Sequence, residues 1–219
     1  MLYIVSTPIG NLKDITLRAI ETLKNVDVIA AEDTRHTKIL TRHYHIETPL
    51  TSYFEHNKFK KADVLLQRLT KGEDVALVTD AGTPGISDPG FHLIRLAQEH
   101  HIPTTVIPGP CALIAALSLS GLPTDKFMFL GFLPPKTVAR KKRLESLRGH
   151  QGTVVFYESP YRLLRALKDI MDVLDDPHVA VVREATKKFE ELQKGRVSDI
   201  LARFKEKKPR GEIVLLISL

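Results

Sequence analysis

Thr79-Asp80-Ala81-Gly82-Thr83-Pro84-Gly85-Ile86-Ser87-Asp88-Pro89-Gly90 follows an apolar run at 75–78 and precedes a helical pattern at 91–99. Three glycines and two prolines in twelve residues exclude regular structure, because glycine loosens the backbone and proline removes a donor. The stretch is therefore a shaped loop at the carboxyl end of a buried strand. In open α/β sheets small ligands bind at that end. A plain connection between strand and helix takes about two to six residues, so the excess needs a reason, and ligand binding is the expected one.

Strand and helix patterns alternate on both sides of this loop. Apolar runs at 2–6, 27–31, 49–53, 74–79 and 104–107 read as strands. Between them, helical spacing appears at 16–24 (Leu17, Ile20, Leu23), at 34–43, and in a segment carrying Val64, Leu65 and Leu69 that Asn57 is placed to cap. Helices at 91–99 and 111–118 complete the block. Repeated βα units predict a mainly parallel, doubly wound sheet with helices on both faces. Gly121-Leu122-Pro123-Thr124-Asp125 breaks the pattern. Beyond it, strands at 126–133, 153–157, 179–183 and 212–218 alternate with helices at 138–147, 161–174 and 197–204. The expectation is two α/β domains, 1–121 and 125–219, the second with a smaller mixed sheet. A ligand cleft is expected between them.

The loops of the first block fall on one sheet edge. Its strands end in Thr7-Pro8-Ile9-Gly10-Asn11, in Glu32-Asp33-Thr34-Arg35-His36-Thr37, in Ser52-Tyr53-Phe54-Glu55-His56-Asn57, in the 79–90 loop and in Pro108-Gly109-Pro110-Cys111-Ala112. The opposite edge has ordinary turns such as Lys71-Gly72-Glu73-Asp74. Glu32, Asp33, Arg35 and His36 form the richest acid–base group of the chain. Its plainer reading is an ion-paired helix start with Asp33 or Thr34 as cap.

Composition narrows the class. Hydrophobic residues at 43% and charged residues at 26% are the balance of a globular protein, and no apolar run approaches a bilayer span. Residues 1–6 lack a charged leader and are expected to be a strand, not a signal peptide. One cysteine, Cys111, excludes an internal disulfide. A cytoplasmic protein is expected. The net charge of +6 is uneven: residues 1–124 balance to −1, while 125–219 carry 20 Lys+Arg against 13 Asp+Glu. The excess gathers in Lys136-Thr137-Val138-Ala139-Arg140-Lys141-Lys142-Arg143 and in Lys205-Glu206-Lys207-Lys208-Pro209-Arg210. Such asymmetry suits a nucleic-acid partner, with Lys136, Arg140, Lys141, Lys142 and Arg143 as the expected contacts. A lysine-rich solvated helix face is the competing reading.

Several chemistries drop out. There is no GxGxxG after the first strand and no GxxxxGK[ST] anywhere, which argues against dinucleotide and P-loop folds. The nine histidines show no HExxH or similar ligand spacing, so no metal is expected.

Taken together the motifs resemble those of the tetrapyrrole methylase superfamily of S-adenosylmethionine-dependent methyltransferases, in particular its bacterial branch that methylates the 2′-oxygen of a 16S ribosomal RNA cytidine. The resemblance is carried by Thr7-Pro8-Ile9-Gly10-Asn11-Leu12, Ala31-Glu32-Asp33-Thr34-Arg35-His36-Thr37, Asp80-Ala81-Gly82-Thr83-Pro84, Ser87-Asp88-Pro89-Gly90, Pro108-Gly109-Pro110-Cys111-Ala112, Gly131-Phe132-Leu133-Pro134, Phe156-Tyr157-Glu158-Ser159 and Arg210-Gly211-Glu212. It spans essentially the whole chain. Corrin and haem-pathway members have a more glycine-rich first loop than Thr7-Pro8-Ile9-Gly10, and that departure favours RNA over a tetrapyrrole or other small substrate, the alternative.

The resemblance implies S-adenosylmethionine as cofactor, 16S ribosomal RNA or the small ribosomal subunit as partner, and a homodimer. It assigns Asp80, Ala81, Gly82, Thr83 and Ile86 to the methionine and ribose parts of the cofactor, with Pro110, Cys111 and Ala112 at the next strand end. Pro8 and Gly10 would shape the floor, and Tyr157, Ala185 and Gly211 would enclose the adenine. Glu32, Asp33, His36 and Asp88 are the candidate bases for removing a ribose hydroxyl proton; Arg35 is better suited to a phosphate or to orienting a carboxylate.

Overall fold

The computed structural model describes residues Met1–Leu219. It divides into two compact units, Met1–Cys111 and Ala112–Leu219.

The first unit runs β1 (Leu2–Val5), α1 (Leu17–Asn25), β2 (Val28–Ala31), α2 (Thr34–His43), β3 (Leu50–Ser52), α3 (Lys58–Thr70), β4 (Val75–Val78), α4 (Gly90–Glu99) and β5 (Thr104–Ile107). All pairings are parallel, in the order β3-β2-β4-β1-β5. Right-handed crossovers fix where the helices go. From β1 to β2 to β3 the chain moves one way across the sheet, and α1 and α2 pack on one face with Val5, Ile29, Ala31, Ala76 and Val78. From β3 through β4 to β5 it moves the other way, so α3 and α4 cover the opposite face with Leu2, Val28, Ala30, Val75 and Leu77. The alternation along each strand is the period of two that a sheet buried on both sides requires. β1 and β4 are neighbours, paired from Leu2↔Val75 to Ile4↔Leu77, and the winding reverses between them. That makes their carboxyl ends the crevice of the sheet.

Local chemistry sets the helix starts. Thr16 accepts from the Ala19 amide at 3.1 Å and caps α1; such a cap contributes roughly 1 kcal/mol. Leu17, expected on the apolar face of α1, is 79% exposed, and Ala19 and Leu23 supply the buried face. Asn57 stands at the N-cap of α3 without capping it. Its side chain turns back and holds the preceding loop, accepting from the Phe54 amide and donating to Ser52. Val64, expected among the buried residues of α3, is exposed, while Leu65 and Leu69 are buried.

The second unit runs α5 (Ala112–Ser120), β6 (Phe127–Phe132), α6 (Thr137–Glu145), β7 (Thr153–Glu158), α7 (Leu163–Leu174), β8 (His178–Arg183), β9 (Glu191–Arg196), α8 (Val197–Glu206) and β10 (Ile213–Ser218). Its sheet is mixed, in the order β6-β7-β10-β8-β9, with only β6 and β7 parallel. α6, α7 and α8 share one core with Val154, Phe156, Val179, Val181, Ile213, Leu215 and Ile217. α7 buries Leu163, Ala166, Leu167, Ile170 and Val173 at helical spacing. The other face of the sheet meets α5.

Two expectations change here. α5 belongs to the second unit, so the division falls at Cys111/Ala112, ten residues before the expected break at 121. β9 has no counterpart in the sequence expectations; it forms an antiparallel hairpin with β8 along the sheet edge.

Candidate functional site

At the carboxyl ends of β1, β4 and β5 the loops are stitched to one another through backbone and hydroxyl groups. The Thr7 amide donates to the Gly82 carbonyl at 2.9 Å, and the Gly82 amide returns a bond to Thr7 at 3.1 Å. Thr7 Oγ1 donates to the Thr79 carbonyl at 3.0 Å. Ser6 Oγ and Thr83 Oγ1 are hydrogen-bonded at 2.9 Å, and Thr83 Oγ1 also reaches the Pro110 carbonyl at 3.2 Å. Gly82 has φ +87°, the left-handed region that glycine alone enters freely. A Cβ there would lie 3.5 Å from Ile9 Cγ2. That contact is an ordinary one, so the positive φ, not a lack of space, is what calls for glycine here.

A cavity of about 230 Å³ opens at this place, lined by Thr7, Pro8, Gly10 and Leu12 from the β1 loop, by His36, Thr37, Ile39 and Leu40 from α2, and by Thr79 and Asp80 from β4. The volume is below the roughly 300 Å³ at which small-molecule sites begin.

The acidic residues around it have separate jobs. Glu32 Oε2 accepts from Thr79 Oγ1 at 2.5 Å and from the Asp80 amide at 3.3 Å. Asp80 Oδ1 accepts from the Asp33 amide at 2.9 Å. Burial pushes the Asp80 carboxyl up, and neighbouring Glu32 adds to the shift, against the lowering bond from Asp33. Asp33 caps α2 by accepting from the Arg35 amide, and its carboxylate grips the Arg35 guanidinium at 3.1 and 2.7 Å. The Arg35 side chain, then its amide, bring the Asp33 pKa down to about 2. Asp88 accepts from the Gly85 amide with both oxygens, at 2.9 and 3.0 Å, and from the Gly90 amide at 2.7 Å. It is the clasp of the 79–90 loop. Burial pushes its pKa up, against the bonds from those two glycines.

Of the catalytic candidates, His36 lines the cavity with an exposed ring. Glu32 holds the loop beneath it, while Asp33 and Asp88 are engaged by Arg35 and by loop amides. Of the cofactor candidates, Pro8, Gly10 and Asp80 line the cavity. Gly82, Thr83 and Pro110 belong to the stitched loops, Ala81 and Ile86 are exposed, and Cys111 is half-buried. Ser6, Thr7 and Thr79 were missed by sequence reasoning. Their signal was small hydroxyl residues ending both central strands. No group of three or more His, Cys, Asp or Glu is placed to hold a metal ion.

In the second unit, half-buried Tyr157 lies on β7 with its ring edge-on to Phe129 and Phe132. Half-buried Ala185 follows β8, and Ala112 opens α5. Gly211 is held at φ +82°, where a Cβ would overlap the Glu184 carboxylate. That carboxylate accepts from the Glu212 amide at 2.9 Å and from Lys187 at 3.0 Å, which ties the Ala185 turn to the Gly211 turn. Burial works against ionisation of Glu184, but the Glu212 amide and Lys187 outweigh it and its pKa falls.

The basic helix α6 departs from expectation. Arg140 is not available to a nucleic acid: it is 2% exposed. It pairs with Asp169 on α7 at 2.6 and 2.7 Å and donates to the carbonyls of Pro134 and Pro135. Lys141 is half-exposed and bound to Asp172 at 3.0 Å. Lys136, Lys142 and Arg143 are exposed.

Residues 1–201 match the family model of the tetrapyrrole (corrin/porphyrin) methylases. The chain is 49% identical over 219 residues to the ribosomal RNA small subunit methyltransferase I of Escherichia coli O157:H7, covering 99% of this chain and 77% of that protein. It is 46% identical to the protein of the same name from Thermotoga maritima, covering 99% and 97%. Among solved structures, a cobalt precorrin-4 methyltransferase superposes with a TM-score of 0.73 at 19% identity, over 99% of this chain and 94% of that one. The uroporphyrin-III C-methyltransferase of Thermus thermophilus complexed with S-adenosylhomocysteine gives 0.68 at 19%, over 99% and 96%.

Proposed function

The chain belongs to the tetrapyrrole (corrin/porphyrin) methylase family, and from that premise we propose that it is an S-adenosylmethionine-dependent methyltransferase acting on 16S ribosomal RNA. The position is the ribose 2′-oxygen of a cytidine, C1402. The observation that carries this reading is identity of 46–49% along the full chain with relatives named ribosomal RNA small subunit methyltransferase I. The tetrapyrrole enzymes, at 19% identity, bear on the fold alone. Cytoplasmic action, on the RNA or the assembled small subunit, and assembly as a homodimer belong to the same proposal. No helix is long and apolar enough to cross a membrane.

The residues present suit the cofactor. It carries a sulfonium, an ammonium and a carboxylate, and needs backbone donors and acceptors with a few carboxylates, not a phosphate cradle. The Asp80–Gly82 turn offers bare backbone beside a carboxylate whose Oδ2 is left open. Asp80, Ala81, Gly82, Thr83 and Ile86, with Pro110, Cys111 and Ala112, hold the cofactor in this reading, and Pro8 and Gly10 form its floor. Tyr157, Ala185 and Gly211 are assigned to the adenine. When bound, the cofactor supplies a methyl group on a cationic leaving group that needs no protonation.

What remains for the protein is positioning and proton removal. Near-attack placement lowers a barrier by at most ~7–11 kcal/mol. A general base adds roughly 10²–10⁴-fold. His36 is the candidate free to take the ribose proton; Glu32 and Asp88 keep the loops in shape, and Asp33 holds Arg35 at the rim. The test is methyl transfer from labelled cofactor to unmethylated 16S ribosomal RNA and small subunits, with ribose methylation mapped by mass spectrometry. Transfer to a tetrapyrrole precursor and none to RNA would overturn the reading.

A further inference from the structure

The second unit holds a cavity of its own; of the residues that carry the family resemblance, only Arg210 lines it. It measures about 610 Å³ and lies where the carboxyl end of α8 and the loop to β10 meet β8 and β9. Its cations are Arg183, Arg203, Lys207, Lys208 and Arg210, against the acids Glu191 and Glu206. Glu191 is already neutralised, since Arg183 grips its Oε2 at 2.9 and 2.7 Å. Arg203 is steadied by Gln193 Oε1 at 2.9 Å, a neutral partner that leaves its charge uncompensated. Lys207, Lys208 and Arg210 have no carboxylate within ion-pair distance and are all exposed. Four cations therefore face one remaining acid across a concave surface.

α6 makes the contrast. Its cations are more numerous in sequence than in effect, because Arg140 and Lys141 are taken by Asp169 and Asp172. A C-terminal helix position alone accounts for one or two cations near the last turn. It does not account for Lys207 and Lys208 beyond that turn, nor for an arginine steadied from a strand of the sheet edge.

We propose that this cavity binds the phosphates of the RNA substrate, and that RNA is held there and not along α6. The inference rests on the RNA reading above. Its ligand class is a polynucleotide backbone: the free donors are all cationic and suit phosphate oxygens. The site thus contributes salt-dependent affinity and little base recognition.

The test is the pair of substitutions Lys207→Glu and Lys208→Glu in one protein, compared with Lys142→Glu and Arg143→Glu in another. All four side chains are exposed, so both proteins fold. Binding of unmethylated 16S ribosomal RNA transcript is titrated across a salt series, and S-adenosylhomocysteine binding is measured by calorimetry. The α8 variant is expected to bind RNA at least about tenfold more weakly at 0.1 M salt. Its slope of log affinity on log salt should fall by about 1.4–1.8, the loss of two phosphate contacts. Cofactor affinity should stay within twofold, and the α6 variant should change RNA affinity by less than about threefold. Parental RNA affinity and slope in the α8 variant overturn the proposal, as does a loss confined to the α6 variant. If the parent protein itself neither binds nor methylates the RNA, the RNA reading fails and the phosphate site with it, a result distinct from either variant outcome.

Discussion

The carboxyl edge of the first sheet and the helical face of the second treat charge in opposite ways. Around β1 and β4, the shape is made by backbone: Thr7 and Gly82 exchange hydrogen bonds, hydroxyls of Ser6, Thr79 and Thr83 close the gaps, and each carboxylate holds an amide or a hydroxyl. Around α6 and α7, shape comes from apolar packing, and charges are paired across the helices, Arg140 with Asp169 and Lys141 with Asp172. The lesson is that a count of charged residues says little about function until partners are known. The acid-rich loops of the first unit leave room for a ligand, whereas much of the basic helix of the second is internal architecture.

The sharpest way to break this contrast is Arg140→Ala. If the pair is architecture, leaving Asp169 buried without its partner costs about 3–5 kcal/mol, read as a fall in the urea midpoint. The double variant Arg140→Met with Asp169→Leu should recover most of that loss. An undiminished midpoint in Arg140→Ala would return this arginine to the surface.

Next in size is Gly82→Val. A branched residue at φ +87° is a conformational outlier, and it would strain the hydrogen-bonded bridge between Thr7 and Gly82. S-adenosylhomocysteine affinity is expected to fall about a hundredfold or more in a protein whose circular dichroism is unchanged. Undiminished binding would remove the crevice from the cofactor site.

A third test concerns proton transfer. Asp33, at about 2, is ionised throughout the range from about pH 5 to 9, so it contributes no limb to the pH profile of kcat. His36→Ala should lower kcat by roughly 10²-fold or more with cofactor binding unchanged. A His36→Ala enzyme that keeps the parental kcat would exclude the histidine.

The smallest effect belongs to Asp80. Its folded pKa lies above the unfolded value, so the ionised carboxylate costs stability. That cost is absent below the ordinary aspartate pKa of about 4 and is complete once pH has risen past the folded value. Asp80→Asn should therefore leave the melting temperature at pH 7 equal or slightly higher while weakening the cofactor. A clear drop in melting temperature would mean that the carboxylate is structural.

Much of this was legible in the sequence. The parallel sheet, its order of elements and the gathering of loops on one edge followed from apolar runs, caps and the density of glycine and proline. Three features were not. α5 is apolar on all sides, Ala-Leu-Ile-Ala-Ala-Leu-Ser-Leu-Ser, so nothing in its pattern says which sheet it covers. β9 is an edge strand of Glu191-Leu192-Gln193-Lys194-Gly195-Arg196 whose single large apolar side chain is 37% exposed, and polar edge strands read as loop. The burial of Arg140 depends on Asp169, 29 residues away on another helix, a relation no local pattern carries.

The reciprocal bonds between Thr7 and Gly82 join residues 75 positions apart. Neither amide can exchange its hydrogen with solvent unless the bridge itself parts, so the two amides form a matched pair of reporters on one opening event. A ligand seated on the bridge at a hundred times its dissociation constant adds about 2.7 kcal/mol to the cost of any opening that expels it. Both amides should then slow together by about a hundredfold, while amides of α7, in the other unit, keep their own pace. The clamp that shapes the loop thus doubles as a built-in gauge of its occupancy.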